Sequence, residues 1–279
     1  MKVGIIGTGN MGSILVESFI HGKAISPSDF YITNRTRTKA EILQDKYPTI
    51  HVCENSADVI KHSELIFICV KPHDIYPLIK QNQPLFTTDK CVVSITSPIS
   101  VEQLDSVLDT ACARAIPSIT NRALSGVSLL SFSEKCDEHW KRKIQELFSY
   151  ISKPIEIDQK ITRVSSDIVS CGPAFFSYIS QRFIDGAVAK TDIDQTTATI
   201  LTGEMLVGLG ELLKIGYYSL PTLQEKVCVK GGITGEGIMV LEAELGDVFE
   251  KLFEATHEKF KEDLELVNKQ FTNNTFDNH

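Results

Sequence analysis

Gly7-Thr8-Gly9-Asn10-Met11-Gly12 closes a short apolar run (Val3, Ile5, Ile6), and Ile14, Leu15, Ser18 and Phe19 then recur at helical spacing. Strand, glycine turn and helix in that order are the context in which such glycines hold the pyrophosphate of a dinucleotide. Gly7 permits a tight turn, Gly9 lets the backbone approach the phosphates, and Gly12 lets the helix lie close on the strand. The free N–H groups of the helix's first turn and the positive end of its dipole would then meet the anion. A bare glycine triplet also serves as an ordinary turn; its place behind a strand at residue 7 favours the ligand.

Which dinucleotide is bound turns on the residues after the second strand, Phe30–Thr33. A carboxylate there would suit the ribose 2′-hydroxyl of NAD. The chain instead has Asn34-Arg35-Thr36-Arg37, with no acid. Two guanidiniums and a hydroxyl suit a 2′-phosphate, which predicts NADP(H) in preference to NAD(H), unless the arginines are merely solvated. Val70-Lys71-Pro72 ends another strand beside the same crevice, with Pro72 fixing the turn, and Asn55 stands after the third strand. Lys71 could be a plain surface lysine, but its position favours the cleft; Asn55 reads equally either way.

A second dense glycine stretch, Val229-Lys230-Gly231-Gly232-Ile233-Thr234-Gly235-Glu236-Gly237, separates two helical segments. It must serve a turn or a close approach to a ligand. Thr234 would sit near the start of a helix over Ile238–Leu245, either as a plain N-cap or beside N–H groups that seat a carboxylate substrate. No Ser-His-Asp or Cys-His pairing stands out, and no histidines fall at metal-ligand spacing; His62 and His73 read as surface or turn residues. Hydride transfer to an already protonated imine needs little beyond positioning and electrostatics, so scarce acid–base groups are compatible with a reductase.

The first half of the chain must position the glycine turn. Strand-like and helix-like stretches alternate there: helical spacing over Lys39–Tyr47, a strand at Ile50–Cys53, a helix from near Ser56, and an apolar run at Leu65–Val70. A helix carrying Ile75, Leu78 and Ile79 follows, then a strand at Cys91–Ile95, a helix at Val101–Leu108 and strands at Ala113–Ile116 and Gly126–Phe132. A helix at Glu138–Tyr150 and a strand at Pro154–Ile157 complete the half. Such alternation with buried strands predicts a Rossmann-type, doubly wound α/β sheet over residues 1–157. From Asp158 on only helical periods occur, predicting an all-α domain over 158–279. In it Pro173 opens a helix to Ala189, Asp194 caps one to Leu213, Pro221 opens a short one, and Leu241–Val267 carries one or two more. Apolar faces this extensive predict packing against a second copy of the chain. Asn268–His279 reads as a frayed end.

Among 279 residues, 42% hydrophobic and 23% charged, Lys and Arg number 28 against 36 Asp and Glu, a net charge of −8. That balance opposes a nucleic-acid or anionic-membrane partner, which needs a basic stripe. No apolar run approaches a membrane span and no signal peptide is visible, so the cytoplasm is expected. The seven cysteines, at 53, 69, 91, 112, 136, 171 and 228, form no Cys-x-x-Cys pair and read as reduced thiols rather than disulfides or a metal site.

Taken together, Gly7–Gly12, Thr33-Asn34-Arg35, Val70-Lys71-Pro72, Ser170-Cys171-Gly172-Pro173-Ala174 and Gly231-Gly232-Ile233-Thr234 resemble, in order and spacing, the pyrroline-5-carboxylate reductases, over nearly the whole chain. The resemblance implies a Rossmann domain, then a helical domain interlocked with a partner's in a homodimer or ring of dimers. It also implies reduction of 1-pyrroline-5-carboxylate to proline with NAD(P)H. It puts Gly7, Thr8, Gly9, Asn10, Met11, Asn34, Arg35, Asn55, Val70, Lys71 and Pro72 on the cofactor. Thr234 falls on the ring nitrogen, and Gly232 and Ile233 fall near the substrate carboxylate. The departures lie on the substrate side. The family's Ser-Pro-Gly-Gly loop reads Val229-Lys230-Gly231-Gly232, with Lys230 as a possible point-charge substitute for the missing hydroxyl. Met-Pro-Asn-Thr-Pro reads Ile116–Thr120, an expected glycine is Pro98, and Ser-Gly-Ser-Gly-Pro reads Val169–Pro173. Loss of a charge-assisted hydrogen bond to a carboxylate costs on the order of 2 kcal/mol, about thirtyfold in affinity. Two alternatives follow. One is a catalytically weak, dinucleotide-binding regulatory protein derived from the family, acting in competence, sporulation or biofilm control. The other is a β-hydroxyacid dehydrogenase, for which Lys190, at a helix end, is poorly placed as the catalytic lysine.

Overall fold

The computed structural model describes residues 1–272. Their packing forms two compact units, Met1–Pro173 with the chain from Ala255 onward, and Ala174–Glu254. The first holds one eight-stranded sheet: β1 (Val3–Ile6), β2 (Phe30–Thr33), β3 (His51–Val52), β4 (Leu65–Ile68), β5 (Cys91–Ser94), β6 (Ala111–Ile116), β7 (Val127–Phe132) and β8 (Lys153–Glu156). Their spatial order is β3-β2-β1-β4-β5-β6-β7-β8. The first six are parallel; β7 runs antiparallel to β6, and β8 is parallel to β7.

The strands read as unbroken apolar runs because both faces are covered. Val3, Ile5, Leu65, Phe67 and Val93 point to a layer formed by α1 (Asn10–His21), α2 (Thr38–Lys46) and α6 (Glu138–Ser149). There the rings of Phe19, Phe67 and Phe148 meet with centroids 5.4 to 6.1 Å apart. Ile6, Ile66, Ile68 and Val92 face the opposite layer, with α3 (Ser56–His62), α4 (Pro72–Asn82) and α5 (Val101–Asp105). The order in which successive strands are added reverses between the parallel neighbours β1 and β4, opening a crevice at their carboxyl ends.

Beyond β8 every regular element is helical: α7 (Thr162–Ser166), α8 (Gly172–Lys190), α9 (Gln195–Ile215), α10 (Leu220–Val227), α11 (Ile233–Leu245) and α12 (Val248–Thr272). An α/β sheet followed by an all-helical half is therefore the fold, as the periodicities predict. Asp194 caps α9 by accepting from the Thr197 N–H, and Gly216 ends it in a left-handed conformation. In the second unit Phe176, Tyr178, Phe183, Ile200, Leu201 and Met205 are exposed to solvent.

Three local expectations need correction. Pro173 does not open a helix, because α7, a π-helical turn (Asp167–Cys171) and α8 form one continuous run. The wide turn lies just upstream, where an α-helix would be troubled by proline's missing donor and its ring. That turn is pinned by the buried Asp167, which accepts from Arg163 at 2.7 Å and from the Thr256 hydroxyl of α12 at 2.8 Å. Residues 268–272 are not frayed. α12 runs to Thr272, Val267 is buried in the sheet's second layer, and Asn268 accepts from Gln103 at 2.8 Å. The remainder of the expected frayed end, 273–279, lies outside the described residues. Finally, α11 begins at Ile233 rather than Ile238, since the glycines within it are tolerated by a helix with an exposed surface.

Candidate functional site

The turn between β1 and α1 is built as its glycines require. Gly7 has φ +104°, and a Cβ there would lie 2.6 Å from the Cys69 carbonyl oxygen. A Cβ on Gly12 would lie 2.0 Å from the Gly7 carbonyl oxygen, so helix and strand are in backbone contact. Gly9, the N-cap of α1, faces open space instead, has no side-chain cap, and no acid occupies the first turn. Asn10 and Met11 follow within that turn, whose N–H groups lack helical partners. Of the three glycines, only Gly9 leaves its backbone open to an approaching anion.

Thr8 is almost wholly buried, and its hydroxyl has no partner among the described residues. Its N–H is engaged: it donates at 3.0 Å to Asn34 Oδ1, while Asn34 Nδ2 donates at 3.0 Å to the Thr36 carbonyl. Asn34 thus acts by tying the glycine turn to the loop after β2. In that loop Arg35, Thr36 and Arg37 are exposed. Arg37 donates through Nε to Glu41 at 2.8 Å along α2, whereas Arg35 makes no ion pair among the described residues. Asn55 is the N-cap of α3, its oxygen accepting from the Asp58 N–H at 3.0 Å. Lys71 is the exposed N-cap of α4 and Pro72 its first residue, with Val70 packed on the second layer.

All of these residues lie at the carboxyl ends of neighbouring strands β3, β2, β1 and β4. Beside the glycine turn lies a cleft of about 300 Å³ lined by Thr8, Gly9, Asn10 and Ser13 together with Lys39 and Arg122. Burial pushes the Cys69 thiol, under the turn, far above its usual range, so it is no nucleophile. The residues fit a dinucleotide: an open approach to the backbone at Gly9, a helix end without acid, and a loop after β2 that carries no carboxylate from Asn34 to Arg37.

Lys230, Gly231, Gly232, Ile233 and Thr234 belong to the second unit. Gly231 has φ +75°, and the Gly232 N–H donates to the Val229 carbonyl at 2.8 Å. Gly232 is the N-cap of α11, so Thr234 is the second residue of that helix and not its cap. Lys230 and Thr234 are exposed.

Two groups near the crevice escaped the sequence reading. Glu17 of α1 is buried and bridges Lys46 at 2.7 Å and Arg122 at 2.9 Å, joining α1, α2 and the loop after β6. Arg114, in the middle of β6, is 1% exposed. A single charge in each apolar period was the available signal.

A parallel sheet with a glycine turn at its reversal point, followed by a helical half, defines a nucleotide-binding protein of the oxidoreductase type. Residues 2–98 match the family described as NADP oxidoreductase coenzyme F420-dependent, and residues 159–263 match pyrroline-5-carboxylate reductase dimerisation. The chain is 54% identical to ComE operon protein 4 (ComER) of Bacillus subtilis, over 97% of this chain and 99% of that one. It is 30% identical to pyrroline-5-carboxylate reductase 3 of the same organism, over 96% and 99%. The chain belongs to the pyrroline-5-carboxylate reductase family. The same fold occurs in a Coxiella burnetii pyrroline-5-carboxylate reductase, with a TM-score of 0.84, 21% identity and coverage of 94% and 98%. It occurs also in the Plasmodium falciparum pyrroline carboxylate reductase with NADP bound, with a TM-score of 0.81, 18% identity and coverage of 96% and 98%.

Proposed function

We propose that the protein is an NADP-dependent reductase of a cyclic imino acid, of the 1-pyrroline-5-carboxylate to proline type. The observation that carries this reading is the β1–α1 turn, closed by Gly7 and Gly12 and open only at Gly9. Gly9, Asn10 and Met11 would hold the pyrophosphate, and Arg35, Thr36 and Arg37 the 2′-phosphate. Asn34 orients both loops, while Val70, Lys71 and Pro72 wall the crevice. A bound reduced nicotinamide would supply hydride to the carbon of the already protonated C=N bond, whose π pair would become the lone pair of the product amine. Thr234 steadies that nitrogen through its hydroxyl, while Lys230, Gly231, Gly232 and Ile233 receive the carboxylate at the start of α11.

The exposed apolar residues of α8 and α9 and the match to a dimerisation family support assembly as a homodimer or ring of dimers. No described helix is long and apolar enough to cross a membrane, which supports a cytoplasmic location. A second reading is favoured by the 54% identity to ComE operon protein 4 and by the missing substrate-loop hydroxyl. It is a catalytically weak, dinucleotide-binding regulatory protein acting in competence, sporulation or biofilm control. NADPH oxidation with 1-pyrroline-5-carboxylate, compared for wild type and Thr234→Ala, separates the two. Turnover that Thr234→Ala abolishes is the expected result. Tight NADPH binding without turnover would replace the first reading with the second.

A further inference from the structure

Arg114 occupies the middle of β6, paired with Ser94 of β5 on one side and Ser131 of β7 on the other. Among the described residues it is the largest fully buried side chain, and no carboxylate pairs with it. Its guanidinium donates only to neutral oxygens: the carbonyls of Ser97 at 3.3 Å and Ile99 at 3.5 Å, Ser131 Oγ at 3.1 Å and Thr162 Oγ1 at 2.7 Å. Its Nε is buried without a partner. Glu102 acts on it only through space, and burial lowers its pKa to about 10. A buried cation without a counter-ion is among the most costly groups a fold can carry, and an apolar side chain of similar volume would serve packing better.

The location gives that charge a use. The Ser97–Ile99 turn leaves the carboxyl end of β5 and is held by the guanidinium through two of its carbonyls. A dinucleotide whose pyrophosphate sits on the β1 turn lays one nucleoside over β1–β3 and the other over the β4–β6 half of the sheet. The second nucleoside carries the nicotinamide, which is neutral when reduced and cationic when oxidised. A cation that no carboxylate neutralises, beneath that half, acts on one form and not the other.

Resting on the proposed dinucleotide site, we propose that Arg114 is a positioning residue that sets the Ser97–Ile99 turn and, as a buried charge, makes the crevice prefer reduced to oxidised nicotinamide. The full-length protein is titrated calorimetrically with NADPH, NADP⁺ and 2′,5′-ADP, the last representing the adenosine half alone. Wild type binds NADPH more tightly than NADP⁺ by roughly tenfold, the scale of one buried unit charge acting through a protein interior. Arg114→Lys keeps that ratio, because the charge remains, while both dinucleotides weaken as the fork of donors is lost. Arg114→Met brings the ratio close to one and leaves 2′,5′-ADP within about twofold of wild type. Should Arg114→Met not fold, Ser131→Asp places a carboxylate beside the guanidinium and must collapse the ratio in the same way. A wild-type ratio near one, a preference that survives both Arg114→Met and Ser131→Asp, or a parallel loss of 2′,5′-ADP overturns the inference while leaving the site. Wild type that binds none of the three nucleotides removes the site and the inference together.

Discussion

Two glycines three residues apart, Gly9 and Gly12, divide the turn between ligand approach and scaffold. A methyl on Gly12 would lie 2.0 Å from the Gly7 carbonyl oxygen and 3.2 Å from Cys69 Cβ. Restoring an ordinary C···O contact of about 3.3 Å moves α1 off β1 by roughly 1.3 Å. The obstacle is backbone, so no rotamer change relieves it. Overpacking of this kind costs about 1–3 kcal/mol, and a rigid neighbour puts Gly12→Ala near the upper figure. In a chain of this size that lowers Tm by roughly 6–12 °C. A methyl on Gly9 meets nothing within 4 Å. Its φ of −72° suits alanine, and alanine in place of glycine at an N-cap costs at most about 1 kcal/mol. Gly9→Ala therefore keeps a near wild-type Tm, yet its methyl occupies the phosphate approach, and NADPH affinity falls at least about tenfold. Differential scanning fluorimetry gives the first quantity and calorimetric titration the second. Gly9→Ala binding NADPH as wild type does, or Gly12→Ala melting with wild type, would refute the assignment of the two glycines.

Asn34→Ala removes the hydrogen bond that joins the glycine turn to the loop after β2 and the one that braces that loop at Thr36, at a cost of about 1–2 kcal/mol. It should weaken NADPH and NADH alike, since the shared turn is disturbed; a loss confined to NADPH in paired titrations would count against this role. Of the two arginines, Arg37 is shared with Glu41 and Arg35 is not. Arg35→Gln should therefore cut NADPH affinity more than Arg37→Gln does, and Arg35→Glu with Arg37→Glu should spare NADH; equal losses for both nucleotides would end the NADP preference. Asp194 accepts from the Thr197 hydroxyl and N–H, which lowers its pKa below the usual aspartate value. A depressed folded pKa means the cap's contribution to α9 is present above about pH 4 and is lost as pH falls through the depressed value. Circular dichroism should show that acid loss of helix in wild type, and Asn at 194 should remove its pH dependence while keeping the cap.

The β1 turn was legible because its physics is local. Gly7 must adopt positive φ, Gly12 must admit a strand, and both demands leave glycine as the residue within six positions. The strands were legible for a similar reason, since burial on both faces writes itself as the unbroken runs Leu65–Ile68 and Cys91–Ser94. The absence of an acid at Asn34–Arg37 was likewise plain, and so was the change of period after β8. What local pattern does not carry is the partner of each polar group. That Asn34 spends its amide on Thr8 and Thr36, that Arg37 turns to Glu41, and that Asn55 caps α3 are facts of contact between segments. Pro173 looked like a helix start because proline's usual place is known one residue at a time. The π turn before it is pinned through Asp167 to Thr256, 89 residues away. Arg114 shows the same limit most sharply: a charge inside β6 reads as an anomaly in one dimension, and its acceptors come from the turn after β5, from Ser131 of β7 and from the head of α7, folded around it. The order of residues determined the alternation of elements, the glycine turn and the family, because each follows from neighbours along the chain. The tertiary structure alone decided which side chains remain free to meet a ligand, because that depends on what distant segments have already claimed.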